Sequence, residues 1–404
     1  MDTQVNAYLV TGYACNQRCR CCPITHNSNT SNLIIPFEQI KDQIIRIGAL
    51  GVTDVTISGG EPTLHPRFFD ILESCYNEGL NVHLLTNGEK FSDEQFIREF
   101  LKKAHKEETF ITTTFHSHHP ALHEQQNLTD GSFARSFRGL QALDNKGFNL
   151  AIKHCITSKN YHSLTEFVRW VLFNFTSNTE IQLWGIDVSG VNESLAREYY
   201  VDYKQIGPHL ENAIDLFEEQ LKKTPNRVLT INNLPLCICD AYYWQYYTPP
   251  EADNYIEHLK NGKKMDAISG PASENCTACG FHSFCPGVYY SNFEIFGNDI
   301  VSPPVQETAI VSHRSKIVSY KQERLVLTYL SPCFQIELRP SGYKLWNSRT
   351  GMYVQLRVKT KLMQQILSLL DEGVDEDMLK SILNNAGENG EEVVNELVLK
   401  GVIE

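Results

Sequence analysis

Cys15-Asn-Gln-Arg-Cys19-Arg-Cys21-Cys22 stands just after an apolar run, Ala7-Tyr-Leu-Val-Thr11, that reads as a strand. Three thiols at Cys15, Cys19 and Cys22 are spaced by three residues and then by two, on a tight loop. Soft thiolates at such intervals select iron–sulfur clusters or zinc. A closed structural zinc site wants four ligands, usually from two paired knuckles. Here one loop supplies three, and no second knuckle follows it closely. Three cysteines on a cubane leave one iron open to another ligand. Cys21, next to Cys22, competes for the third position.

Working outward, residues 52–58 (Val-Thr-Asp-Val-Thr-Ile-Ser) read as a buried strand running into Gly59-Gly60-Glu61-Pro62. Two glycines allow close backbone approach, and a carboxylate after them can hold an ammonium group. Gly-Gly-Glu-Pro alone is an ordinary turn. Behind the second strand, with the cysteine loop behind the first, the pair closely resembles the radical S-adenosylmethionine (radical SAM) superfamily. The resemblance implies a [4Fe-4S] cluster on Cys15, Cys19 and Cys22 whose open iron chelates SAM. It also implies that Gly59, Gly60 and Glu61 contact the SAM amino group. In that family the reduced cluster splits SAM into methionine and a 5′-deoxyadenosyl radical, which abstracts a substrate hydrogen. The family's usual aromatic residue before the third cysteine is replaced here by Cys21.

The chain has 404 residues, 42% apolar and 21% charged, as expected of a globular protein with two or three domains. No run approaches ~18 uninterrupted apolar residues, so no membrane partner is expected. The start, Met-Asp-Thr-Gln, has no basic-then-apolar leader, and the expected location is the cytoplasm. Twelve cysteines in such a chain argue for metal ligation over disulfides. A net charge of −12 disfavours nucleic acid as a partner.

Six strand–helix alternations follow one another up to Asp187, which implies a parallel sheet with crossover helices. The expected fold is α/β: a partial (β/α)6 barrel over residues 1–225, with its chemistry at the carboxyl ends of the strands. At the end of strand four, the resemblance puts Thr114 in the role of SAM ribose contact, beside the plain reading of a β-branched strand residue. His116, His118 and His119 read as a polar loop at the mouth of the site rather than a metal centre. Arg135 and Arg138 are available for a SAM carboxylate, but neither falls in a matching motif. Lys153 and Asp187 are either substrate-facing or ordinary rim residues.

A second thiol constellation joins Leu234-Pro-Leu-Cys237-Ile-Cys239 to Cys276-Thr-Ala-Cys279-Gly-Phe-His-Ser-Phe-Cys285. Four of these thiols close a second site, by spacing either zinc or a cluster. The segment resembles the SPASM and twitch extensions of peptide-maturing radical SAM enzymes, which implies one auxiliary [4Fe-4S] cluster in a small domain over 226–300. Its ligands would be Cys276, Cys279, Cys285 and one of Cys237 or Cys239, with Cys237 preferred. The pair reads as two apart on a strand, hence on one face. Tyr289 stands where a SPASM pattern has another cysteine.

After a linker over 301–323, residues 324–404 read as short strands followed by three amphipathic helices, a winged-helix (α+β) pattern. Residues 371–404 hold ten acidic side chains and two lysines, a poor footprint for DNA. The segment loosely resembles PqqD-like elements that bind a leader peptide as an added strand. The resemblance therefore implies a radical SAM enzyme modifying a ribosomal precursor peptide, fed by an external electron donor such as flavodoxin or ferredoxin. An oxidative cross-link is the leading outcome. Epimerisation with Cys239 as hydrogen donor and sulfatase-maturase-like dehydrogenation are the alternatives. A non-enzymatic, redox-responsive iron–sulfur binding protein is the rival of another class.

Overall fold

Seven strands lie side by side in chain order, every neighbouring pair parallel: β1 Asn6–Val10, β2 Asp54–Ser58, β3 Asn81–Thr86, β4 Thr109–Thr114, β5 Asn149–Cys155, β6 Thr179–Trp184 and β7 Leu229–Asn232. The computed structural model describes residues 6–22, 32–248, 255–257, 263–264, 269–277, 279, 281–282, 285–301, 327–328, 334–339, 342–348, 350–400 and 402–403. They fall into two units, Met1–Ile238 with Tyr246–Ala278 and Cys285–Ser302, and Cys239–Gln245 with Cys279–Phe284 and Pro303–Glu404.

In the first unit the parallel neighbours are joined by helical crossovers. These helices are α1 Phe37–Ala49, α2 Phe68–Asn77, α3 Glu94–Lys103, α4 Pro120–Asn127, α5 Ser132–Asp144, α6 Leu164–Asn174, α7 Glu193–Tyr199 and α8 Tyr203–Leu221. Each main crossover turns an apolar stripe to the sheet. In α1 it is Ile40, Ile44 and Ile47, all fully buried, each contributing ~1.5–3 kcal/mol. α6 does the same with Leu164, Phe167, Val168 and Val171. Against them stand every second residue of the strands, among them Val82 and Leu84, Leu150 and Ile152, Ile181 and Leu183.

The six-stranded expectation is corrected to seven. Leu229–Asn232, assigned from sequence to the auxiliary region, pairs with β6 in the register Trp184↔Asn232 and buries Leu229 and Ile231. Its helical crossover, α7 and α8, is long enough to have read as a departure from the barrel. Beyond β1, β8 (Tyr255–Glu257) adds in parallel and β9 (Lys263–Lys264) pairs antiparallel with β8. His116, His118 and His119 lie in a loop as expected, and α4, not foreseen from the sequence, follows it, opened by Pro120 in its first turn. Short elements close the unit: β10 Ser269–Gly270, α9 Glu274–Thr277, β11 Val288–Tyr289 and α10 Tyr290–Phe296.

The second unit has a two-stranded pair, β12 (Leu327–Thr328) with β16 (Val374–Asp375), and an antiparallel sheet of β13 Phe334–Arg339, β14 Gly342–Asn347 and β15 Tyr353–Leu356. Its helices are α11 Thr360–Glu372, α12 Glu376–Asn385 and α13 Gly390–Leu399. One core joins Phe334, Leu345 and Leu356 of the sheet to Ile366, Leu379, Leu383 and Leu397 of the helices. β15 was not foreseen. Apart from Val301, the expected linker lies outside the described residues. No helix among the described residues is long and apolar enough to cross a membrane.

Candidate active site

The cysteine loop leaves the carboxyl end of β1 and is gripped from two sides. On one side Gly60 N–H donates to Gly12 O (2.9 Å) and Glu61 N–H to Ala14 O (2.8 Å). A side chain on Gly60 would meet Ala14 O at 2.3 Å, and one on Gly59, at φ +131°, would meet Gly12 O at 2.2 Å. The two glycines are therefore required by the cysteine loop's own backbone. On the other side Arg18 N–H donates to Asn127 O (3.0 Å) and Arg20 N–H to Gln126 O (2.9 Å). Carbonyls in the last turn of a helix have no partner within it. α4 ends with Leu128 at φ +53° and gives two of them to the loop.

Cys15 and Cys19 both feel the charge of Cys22. Burial pushes Cys15 up to about 12, with the charges of Glu61 and Cys22 adding to the effect. Cys19 is raised well above the ordinary thiol by burial, then by Cys22 and Cys15. Gln17 N–H donates to Cys15 Sγ (3.4 Å) and Cys22 N–H to Cys19 O (3.3 Å). Such a set is a poor home for bare thiolates and a good one for thiolates compensated by iron. Among the described residues no three His, Cys, Asp or Glu side chains are placed to hold one metal ion. The donor set suits a cluster, in which each cysteine takes a different iron. Cys21 instead packs against the apolar patch of Ile186, Val188, Ala196 and Tyr199, its thiol pushed to about 12 by burial and then by Cys155.

Glu61 is 4% exposed. Its Oε1 accepts from Thr63 N–H (3.1 Å), the Thr63 hydroxyl (2.5 Å) and the Thr86 hydroxyl (2.7 Å), and its Oε2 from Asn87 N–H (2.7 Å). Burial raises its carboxyl above the usual range against the pull of these bonds. The carboxylate expected to meet an ammonium group is thus already a staple between the ends of β2 and β3. Asn87 extends the staple to the cysteine loop, donating to Asn16 Oδ1 at 2.7 Å.

The helix-free face of the sheet carries the remaining candidates. Thr114, Lys153, Gln182 and Thr230 stand in one register row, with Cys155, Trp184 and Asn232 in the row beyond. Thr114 is half-buried at the end of β4, where a ribose contact was expected. Lys153 Nζ lies 3.7 Å from the centre of the Trp184 ring. His83, on the same face, bonds the Thr112 hydroxyl (2.8 Å) and is pushed down to about 4, first by burial. Asp187 holds Ser189 N–H (2.9 Å) and the Ser291 hydroxyl (3.1 Å), tying its own loop to α10. Arg135 is committed to Glu89 at 2.6 Å, and Arg138 reaches back to Ala134 O at 3.3 Å.

His116 and His118 sit with His123 and His154 around Phe115, Phe133 and Trp170. Burial drives His116 to about 4, and His123 and His154 to about 3, so these rings are neutral packing groups. Sequence reasoning passed over Gln17, Asn87, Glu89, Asn127 and Cys155. Only Thr86-Asn87-Gly88, a turn at a strand end, carried a readable signal.

The second thiol set divides. Cys237, Cys276 and Cys285 belong to the first unit, Cys239 and Cys279 to the second. The expected strand through Cys237 and Cys239 is a 3-10 turn, Leu236–Ile238, because Asn233 at φ +52° and Pro235 end β7. The two thiols therefore do not share a strand face. Leu236 N–H donates to Cys285 Sγ (3.5 Å), placing Cys285 against that turn. α8 holds the turn closely. A side chain on Gly207 would meet Ile238 O at 2.0 Å.

Residues 9–171 match the family model described as "Radical SAM superfamily". The AdoMet-dependent heme synthase of Methanosarcina barkeri is 25% identical over 152 residues, 38% of this chain and 42% of that protein. The antilisterial bacteriocin subtilosin biosynthesis protein AlbA of Bacillus subtilis is 24% identical over 160 residues, 39% of this chain and 35% of its own length. The chain thus spans well under half the length of these curated relatives. Among solved structures, Streptococcus suis SuiB bound to precursor peptide SuiA superposes with a TM-score of 0.52 at 12% identity, over 76% of each chain. That likeness is one of fold. The family match, over residues 9–171, takes in the cysteine loop, the Gly-Gly-Glu grip and most of the parallel sheet, so this part of the chain is similar to the radical SAM superfamily.

Proposed function

We propose that this chain is a SAM-cleaving enzyme that modifies a ribosomally made peptide, most simply by an oxidative cross-link. The observation that carries the proposal is the doubly gripped loop that presents Cys15, Cys19 and Cys22 as one mutually coupled set. In this reading the three thiols hold a [4Fe-4S] cluster, and Gly59, Gly60 and Glu61 seat SAM through their backbone, with Thr114 at its ribose. The bound cofactors supply the hydrogen-abstracting radical. The protein's part is to orient the target C–H bond against the inner face of β4 to β6 and to exclude water. AlbA and SuiB, whose names join them to a bacteriocin and a precursor peptide, support a peptide substrate.

Cys276, Cys279 and Cys285 with Cys237 would hold an auxiliary [4Fe-4S] cluster able to accept the electron a cross-link releases. Residues 324–404, as a winged-helix element, would bind the leader of the precursor along a sheet edge. Flavodoxin or ferredoxin would deliver the first electron. Epimerisation is carried as a second reading because it needs a thiol hydrogen donor. Cys239 was the candidate from sequence, and the inner face of the barrel itself presents Cys155.

Anaerobically reconstituted protein mixed with SAM and dithionite should release 5′-deoxyadenosine. Replacement of Cys15, Cys19 and Cys22 by alanine should abolish that release. Persistent cleavage in this triple variant sinks the proposal. With precursor peptide, a product two mass units lighter marks a cross-link or oxidation. An unchanged mass that gains one unit in deuterium oxide marks epimerisation.

A further inference from the structure

Gln17 lies between Cys15 and Cys19 in the sequence and is 6% exposed. Its Nε2 donates to Glu89 Oε1 at 2.7 Å, and Glu89 Oε2 accepts from Arg135 Nε at 2.6 Å. Arg135 is fixed in turn by donating through Nη2 to Asp130 O at 3.1 Å. Glu89 is itself 6% exposed and sits in the turn that also holds Asn16 through Asn87.

The chain of bonds decides which way the Gln17 amide faces. A carboxylate tied to a guanidinium accepts and cannot donate, so the amide nitrogen must turn to Glu89. The amide oxygen is thereby turned to Cys19, 3.5 Å from its Sγ, where a ligand thiolate would have no proton to share with it. Cys15 has the opposite surroundings, because the Gln17 backbone N–H points at its sulfur. Donors aimed at ligand sulfurs stabilise the more negative oxidation state of a cluster and raise its potential. An oxygen held against a ligand sulfur has the reverse effect.

We propose that Gln17, Glu89 and Arg135 form a positioning relay that holds the cysteine loop and locks the Gln17 oxygen toward Cys19, keeping the potential of the cluster low. The inference rests on the reading of Cys19 as a cluster ligand. Without the relay the amide is free to flip and offer N–H to the sulfur. Glu89→Gln removes the lock, because the new side chain can donate as well as accept. Gln17→Met removes the oxygen without changing any charge.

The test is a redox titration of the anaerobically loaded full-length protein followed by electron paramagnetic resonance, with iron and sulfide assayed on each sample. Both variants should titrate at a more positive midpoint potential than the unmodified protein, with altered g values at equal iron content. A Gln17→Met protein that is fully loaded and titrates at the original potential, or below it, overturns the relay. Iron loss from both variants, with far-ultraviolet circular dichroism unchanged, supports its hold on the loop. Loss of that dichroism moves the test to Arg135→Lys. This variant keeps charge and donor, and the relay requires it to retain iron and the original potential; any other result overturns the relay. Cys19→Ala is the separate control. Full iron in that variant refutes the ligand assignment, whatever the relay does.

Discussion

The first thiol set and the second are built in opposite ways. Cys15, Cys19 and Cys22 lie on one loop whose backbone is bonded to the Gly-Gly-Glu segment on one side and to the end of α4 on the other. Cys237, Cys239, Cys276, Cys279 and Cys285 come from three short segments divided between two units. The first arrangement is local, so neighbouring secondary structure presets the three thiols. In the proposed auxiliary-cluster reading, the second draws its thiols from several chain segments, which costs ordering entropy at each one. Metal binding and folding should therefore be more tightly coupled at the second set.

The largest effect that can break this contrast is on SAM cleavage. Single alanine replacements of Cys15, Cys19 or Cys22 should lower 5′-deoxyadenosine release by about a thousandfold or more, the scale on which an essential catalytic group is lost. Cys276→Ala or Cys285→Ala should leave that release within about tenfold while abolishing modified peptide. Equal losses in both groups, measured by chromatography of the nucleoside, would erase the distinction.

Two glycines sharpen it at the level of backbone packing. Gly60→Ala would drive a methyl to 2.3 Å from Ala14 O, and Gly207→Ala one to 2.0 Å from Ile238 O. Each overpacked site costs about 1–3 kcal/mol. Gly60→Ala should lower iron bound at the first set and spare the second, and Gly207→Ala should do the reverse. Gly51→Ala, with open space around it but φ +73°, should change neither. Iron counts and Mössbauer spectra of the loaded variants decide the matter.

The smallest effect concerns acid. His123 and His154 are 1% and 0% exposed, and burial lowers both to about 3. The unfolded chain binds these protons near the usual value of ~6.5, while the folded chain refuses them until about 3. Stability is therefore full above pH 6.5 and falls as the pH drops from there toward 3, by up to ~1.4 kcal/mol per pH unit for each ring. Thermal scans between pH 7 and 5 should show an early transition that His123→Phe partly flattens. A pH-independent transition would contradict the burial of the two rings.

The cysteine loop and Gly-Gly-Glu-Pro were legible as motifs because each is written in contiguous residues. The first six strands were legible because each buried strand is followed by a helix with a 3.6-residue apolar period. β7 was missed because a long two-helix crossover hid its membership of the sheet. α4 was missed because its buried face is made of histidine, glutamine and asparagine, which hydropathy reads as loop. The staple from Glu61 to Thr86 and Asn87, and the relay from Gln17 to Glu89 and Arg135, join residues 25 to 72 positions apart. No local pattern encodes such pairs.

By itself, the amino-acid sequence determined which groups stand together: three thiols on one loop, two glycines and an acid on the next, and a parallel sheet to carry them. Tertiary structure alone decided which partners those groups have. It turned Cys21 into an apolar patch, saturated the Glu61 carboxylate, and made the glycines a requirement of the neighbouring loop. Ligand type depends on side-chain identity, which a sequence states outright. Orientation and hydrogen-bond saturation depend on what the folded chain brings within about 3 Å, the range over which hydrogen bonds act.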